Sequence, residues 1–82
     1  MADRNRIEAV KEMAKKEIVR IYQEMKSLEE TEQLHIAAKQ MELNSFIEGV
    51  NRTAIFALGV DAYDEIREFI LDLIGDLDEE MC

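Results

Sequence analysis

The sequence predicts an all-α protein, a three-helix bundle made of a helical hairpin and a shorter C-terminal helix. The 82 residues include no Pro and only three Gly, too few turn residues for a sheet of many short strands. Apolar residues make up 48% of the chain and charged residues 35%, a composition that favours helices. Apolar side chains recur at spacings of three and four residues, and the alternation typical of strands is nowhere sustained.

Residues 4–28 are predicted to form the first helix. Their apolar side chains form a seven-residue repeat with a second row beside it, which is the pattern of one buried helix face. The first row comprises Ile7, Ala14, Ile21 and Leu28, and the second comprises Val10, Ile18 and Met25. Asp3 is a candidate N-cap, since a carboxylate accepts hydrogen bonds from the free amide groups at a helix start.

The second helix is predicted over residues 32–58. Ser27 and Thr31 are candidate caps near its start, and one longer continuous helix is the alternative because no Gly or Pro forces a turn. Gly49 weakens the middle of the helix, and residues 54–58 are apolar on every side, as in a segment buried all round. One apolar row comprises Ile36, Leu43, Val50 and Ala57, and a second comprises Leu34, Ala38, Met41 and Ser45.

The third helix is predicted over residues 61–76. Gly59 is a stop signal for the preceding helix, as a left-handed C′ residue, and Asp61 is the predicted N-cap of the next. The helix is expected to fray after Gly75, because the acidic tail is poorly suited to a helix C-terminus. Its apolar stripe comprises Tyr63, Ile66, Ile70, Leu73 and Leu77.

Residues 1–82 are predicted to be one domain that acts in the cytoplasm. No linker, repeat or low-complexity stretch divides the sequence. The lone Cys82 permits no intramolecular disulfide, which fits a reducing compartment, and the N-terminus has no secretory signal. The longest apolar runs are far shorter than the ~20 residues that cross a bilayer, so no membrane association is expected.

Charge is distributed unevenly along the chain. The formal net charge is −9, which argues against direct DNA or RNA binding because phosphates would be repelled. Residues 1–26 carry seven Lys/Arg and five Asp/Glu, whereas residues 58–82 carry one and nine. We expect the basic first helix to lie near the acidic third helix, within one chain or across a dimer. Ordinary solvation of an acidic surface is the alternative.

No catalytic residue, cofactor or firm metal ligand is predicted. One His and one terminal Cys provide no nucleophile–base pair, and the isolated glycines form no phosphate-binding loop. Glu32 and His35 have the Glu-x-x-His spacing of helical di-iron sites and are weak metal candidates, but they also fit a polar helix face. A carboxylate row on the third helix fits either a Mg²⁺ site or a solvated face. This row comprises Asp61, Asp64, Glu65, Glu68 and Asp72.

The placement of apolar residues predicts self-association. Residues 54–58 and 66–77 hold more apolar surface than a lone three-helix bundle is expected to cover, and a small domain gains stability by sharing a core. A homodimer is therefore expected, with a monomer that absorbs these side chains as the alternative. The predicted self-association contacts are Ile55, Phe56 and Leu58. The residues predicted to contact a second copy or another protein are Tyr63, Phe69 and Leu71, because aromatic anchors often dominate interfaces.

The sequence thus predicts a non-enzymatic protein-interaction module, a small acidic homodimer that binds another protein and regulates or inhibits it. One alternative is an acidic nucleic-acid mimic that occupies the binding channel of a nucleic-acid-binding protein. A less favoured alternative is a helical bundle that binds a small ligand or a metal.

Overall fold

The computed structural model describes residues 4–28 and 31–81, and these residues form three helices. Helix α1 is Arg4–Lys26, α2 is Gln33–Leu58 and α3 is Val60–Met81. The predicted all-α class with three helices is therefore confirmed. The proposed cap Asp3 and the terminal Cys82 lie outside the described residues.

The three helices run up, down and up, and each packs against the other two. Helices α1 and α2 are antiparallel, since Arg20 pairs with Glu42 while Glu24, one turn further along α1, pairs with Lys39. Helices α1 and α3 are parallel, since residues near the start of both helices are paired and Tyr22 meets Asp78 near their ends.

The core lies along the common axis of the bundle. Four isoleucines, two from α1 and two from α3, are the largest side chains that are fully buried among the described residues. Helix α1 contributes Ile7, Ala14, Ile18, Ile21, Tyr22 and Met25, α2 contributes Leu43, Val50 and Ala54, and α3 contributes Ala62, Ile66 and Ile70. Burial at spacings of three and four residues is what the apolar rows of α1 and α3 predict.

The turn between α1 and α2 excludes one continuous helix. Helix α1 ends at Lys26, and the hydroxyl of Ser27 donates to the Glu24 carbonyl oxygen at 2.7 Å. Ser27 therefore satisfies the end of α1 instead of capping α2, which corrects its predicted role. Helix α2 begins at Gln33 after Glu32, which makes no side-chain cap, so Thr31 is not the N-cap either.

The turn between α2 and α3 is Gly59 alone. Its backbone has φ 93° and ψ 172°, a combination almost confined to glycine, and its carbonyl oxygen accepts the Tyr63 N–H at 3.0 Å. Gly59 thus ends one helix and opens the next. Because α3 begins at Val60, Asp61 lies in the first turn and is not the predicted N-cap.

Helix α3 extends to Met81, five residues beyond its predicted end, and its 22 residues nearly equal the 23 of α1. The expectation that the third helix ends near residue 76 and frays after Gly75 is therefore wrong, and α3 is shorter than α1 by one residue only. Two contacts hold the last turns. Leu77 packs against the core, and the hydroxyl of Tyr22 donates to Asp78 Oδ1 at 2.7 Å. Burial and this hydrogen bond raise the pKa of Tyr22 to about 12.

Across the described part of the chain, no helix is both long and apolar enough to cross a membrane.

Candidate functional site

The seam between α1 and α3 is held by charged side chains around Glu65. The Arg4 guanidinium donates to Glu65 Oε1 at 2.7 Å, and Lys11 Nζ lies 2.6 Å from Oε2. Hydrogen bonds from these two cations lower the pKa of Glu65 to about 2, and the one from Arg4 has the larger effect. Lys11 also lies 5.6 Å from the centroid of the Phe69 ring, within cation–π range. The basic first helix therefore meets the acidic third helix within one chain.

The seam between α1 and α2 is closed at one end by a second charged cluster. Lys39 Nζ lies 2.5 Å from Glu24 and 3.1 Å from Glu42, and Arg20 lies 2.8 Å from Glu24 and 3.2 Å from Glu42. Lys39 is the main cause of the lowered pKa of both carboxyl groups, and Arg20 adds to it. The pairs are partly exposed, so they orient the two helices more than they stabilise them.

The other end of the same seam is an open apolar groove of about 570 Å³. Small residues of α2, among them Gly49, Thr53 and Ala57, face Ala9 and Met13 of α1 across it. Met13 is 47% exposed beside this groove.

Helix α2 carries an exposed row of side chains on the side opposite its buried residues. We call this row the α2 face, and it comprises Leu34, Ala38, Met41, Ser45, Gly49, Arg52 and Phe56. Leu34 is 87% exposed, Met41 70% and Phe56 89%. A scattered exposed apolar residue is ordinary, but three large ones in register on one helix are typical of a protein-contact surface.

The six residues predicted as contacts fall into two groups. Ile55 is 39% exposed, Phe56 89% and Leu71 52%, so these three side chains are open to a partner. The other three predicted contacts are partly buried against the core of their own chain. These three are Leu58, Tyr63 and Phe69. A role at an interface stays a prediction for all six.

The exposed members of that set do not form one patch. Phe56 lies next to the Gly59 turn, whereas Leu71 is eleven residues into α3 and therefore about 17 Å from that turn along the bundle. Leu71 stands among acidic residues of α3, between Glu68 and Asp72. A partner that covers Phe56 is thus expected to extend along α2.

Sequence reasoning singled out neither Leu34 nor Met41 as a contact, although both are among the most exposed apolar side chains. The sequence feature that could have identified them is the second row of α2, which includes both residues. In a three-helix bundle only one row of a helix faces the core, so a helix with two rows exposes one of them.

The outer side of α3 is acidic. Its exposed carboxylates include Asp61, Asp64, Glu68 and Asp72. The predicted carboxylate row is broken, because Glu65 turns towards α1 and binds Arg4 and Lys11. His35 is exposed and Glu32 is half-buried. Over residues 4–28 and 31–81, no group of three or more His, Cys, Asp or Glu side chains converges on a position for a metal ion.

The geometry thus offers one apolar face, one apolar groove beside it and one acidic face. We compared the chain with known proteins to ask whether any of these surfaces is shared. No protein-family model matches the chain, and no significant match is found among curated proteins or solved structures.

Proposed function

We propose that this chain is a non-enzymatic, cytoplasmic protein-interaction module, a small acidic helical homo-oligomer that binds another protein and regulates or inhibits it. The surface that we assign to protein contact, with a second copy or with another protein, is the α2 face. The observation that carries the proposal is the exposure of Leu34, Met41 and Phe56 along one side of one helix.

Physical chemistry favours a protein as the ligand of this face. Leaving large apolar side chains in water forgoes about 25 cal/mol for each Å² that a partner would cover. The face is long and narrow, since it runs from residue 34 to residue 56, about 33 Å along the helix. An amphipathic helix or a helical surface matches such a shape, because its own apolar side chains repeat at the same spacing.

The charge on this side of the molecule also suits a protein partner. Arg52, the charged member of the α2 face, lies 2.7 Å from Glu48, and the neighbouring Lys39 and Glu42 are 3.1 Å apart. Counted with these flanking partners, the α2 face carries no net charge, in a chain whose formal charge is −9. A partner does not need to be strongly basic to bind there.

The test is affinity capture from the natural host with wild type and two face variants, Met41→Glu and Phe56→Glu. Wild type is expected to retain a host protein, and each variant is expected to weaken the purified complex at least about tenfold, because a charge is buried in an apolar contact. Leu71→Glu is the matched control, since it makes the same kind of change on α3. Equal binding by all four proteins, or no specific host protein, would reject the proposal.

The exposed carboxylates of α3 favour a second candidate, an acidic nucleic-acid mimic. Asp64, Glu68 and Asp72 lie on one exposed side and present negative charge in a regular array. In this case the captured protein would bind nucleic acid, DNA or RNA would displace the chain, and binding would weaken steeply with salt. Asp64→Asn with Glu68→Gln would abolish capture, whereas Phe56→Glu would not.

A further inference from the structure

We infer that the partner of the α2 face is a second copy of this chain, packed antiparallel about a two-fold axis that passes beside Ser45. This inference rests on the proposed function, because it takes the α2 face to be a protein-contact surface. It adds the identity of one occupant and the register in which that occupant binds.

The positions of the α2 face are spaced symmetrically about Ser45. These seven positions are separated by four, three, four, four, three and four residues, so the order is the same from either end. A two-fold axis at Ser45 therefore maps the face onto itself. A symmetric dimer requires this property, since the same patch must serve both subunits. Ser45 also lies at the middle of α2, so two antiparallel copies would overlap along their whole length.

Large and small side chains of the α2 face match each other across this two-fold axis. The axis places Met41 of one copy opposite Gly49 of the other, and Leu34 opposite Phe56. A Cβ built on Gly49 meets nothing within 4 Å, so packing within one chain does not require glycine there. The open space at Gly49 can receive the exposed Met41 of a second copy. A parallel pair would set Gly49 against Gly49 and leave a void instead.

The distribution of charge also favours the α2 face as the contact between two copies. Two chains of formal charge −9 repel each other, so they associate through the side that carries no excess of carboxylates. The exposed acids of α3, such as Asp64 and Glu68, exclude its outer side from self-contact. Near the α2 face, the Arg52–Glu48 pair and the cluster around Lys39 neutralise the charge. Antiparallel packing also sets the two helix dipoles in opposite directions.

The test is disulfide cross-linking in the full chain with Cys82→Ser as the background. Ser45→Cys is expected to cross-link to itself on mild oxidation. Leu34→Cys and Phe56→Cys are each expected to stay uncross-linked alone, because identical positions lie about 33 Å apart along an antiparallel pair. Mixed together, these two variants are expected to form the hetero-dimer. Ser27→Cys, exposed in the turn after α1, is the control and stays uncross-linked.

Two results would overturn the inference. One is self-cross-linking of Leu34→Cys and of Phe56→Cys, which indicates a parallel pair. The other is a monomer mass for wild type in sedimentation at its highest soluble concentration.

The proposed function fails in a different way. If wild type is a monomer but binds a host protein that Met41→Glu loses, the α2 face binds another protein and not itself. If wild type is an antiparallel dimer but no host protein is retained, the inference stands and the regulatory function falls.

Discussion

Helices α2 and α3 serve the core equally but present different outer sides. Each contributes three buried residues to the same core. Outside, α2 exposes Leu34, Met41 and Phe56, whereas α3 exposes carboxylates such as Asp64 and Glu68. Folding alone therefore does not require an apolar outer side such as the α2 face. An acidic outer side, as on α3, keeps a helix soluble, so the apolar outer side of α2 supports the proposal that a partner binds there.

The two helices also differ in how far their apolar side chains are buried within the chain. The apolar flank of α3 that suggested a surplus over residues 66–77 is largely absorbed within the chain, because four of its side chains pack against the core. These are Phe69, Leu73, Ile74 and Leu77. The most exposed large apolar side chains, Leu34 and Phe56, belong to α2, whereas α3 leaves Val60 and Leu71 exposed. The dimer expected from the sequence stays a prediction, but the α2 face is now its basis.

The largest expected loss of stability comes from a substitution in the core, whereas a similar substitution on the α2 face should cost little. Ile66→Ala removes a side chain with no exposed surface, and we expect it to lower the free energy of unfolding by about 3–4 kcal/mol through lost burial and a cavity. Met41→Ala on the 70% exposed face is the matched control and should change it by no more than about 0.5 kcal/mol at concentrations where the chain is monomeric. Urea unfolding followed by circular dichroism measures both. Similar losses would mean that Met41 is packed in the monomer.

The next largest effect on stability is expected at Gly59, the turn between α2 and α3. This turn sets which sides of the two helices face outward. We expect Gly59→Ala to cost about 1–3 kcal/mol, because φ of 93° with ψ of 172° strains any residue that has a Cβ. No atom obstructs that Cβ within 4 Å, so the loss comes from the backbone alone. Gly75→Ala is the control, since Gly75 is helical and exposed and should gain about 0.5–1 kcal/mol. Thermal unfolding of the two variants should shift in opposite directions.

A smaller effect is expected when glycine is replaced by alanine on the exposed side of α2 and on that of α3. Gly49→Ala and Gly75→Ala each add a methyl group into open space on a helix, and each should stabilise the monomer by up to about 1 kcal/mol. On the α2 face, however, the methyl group occupies the space assigned to Met41 of a second copy, so Gly49→Ala should weaken self-association. Sedimentation at several concentrations measures this difference. Unchanged dimerisation by Gly49→Ala would contradict the register centred on Ser45.

The sequence predicted the three helices and the turn between α2 and α3, because apolar periodicity and a helix-ending glycine depend only on residues that are close in sequence. Gly59 is the clearest example. The end of α3 was missed because it is decided by contacts distant in sequence, namely Leu77 on the core and Tyr22 with Asp78. Leu34 and Met41 were missed as exposed residues for a related reason. Periodicity shows two apolar rows on α2, but only the packed bundle decides which row is buried.

The smallest expected effect on stability concerns the charged seam between α1 and α3, where Glu65 of α3 binds Arg4 and Lys11 of α1. The pKa of Glu65 is about 2 in the folded chain, below its ordinary value of 4.5, because Arg4 and Lys11 stabilise the carboxylate. A depressed pKa contributes stability that is present above pH 4.5 and is lost as the pH falls towards 2, since the unfolded chain then binds the proton more readily. Glu65→Gln removes this contribution, so the gap in melting temperature between wild type and the variant should narrow across that interval. Salt should narrow it as well, because these pairs are partly exposed. A gap that does not change with pH would show that Glu65 stabilises the seam by packing and not by its charge.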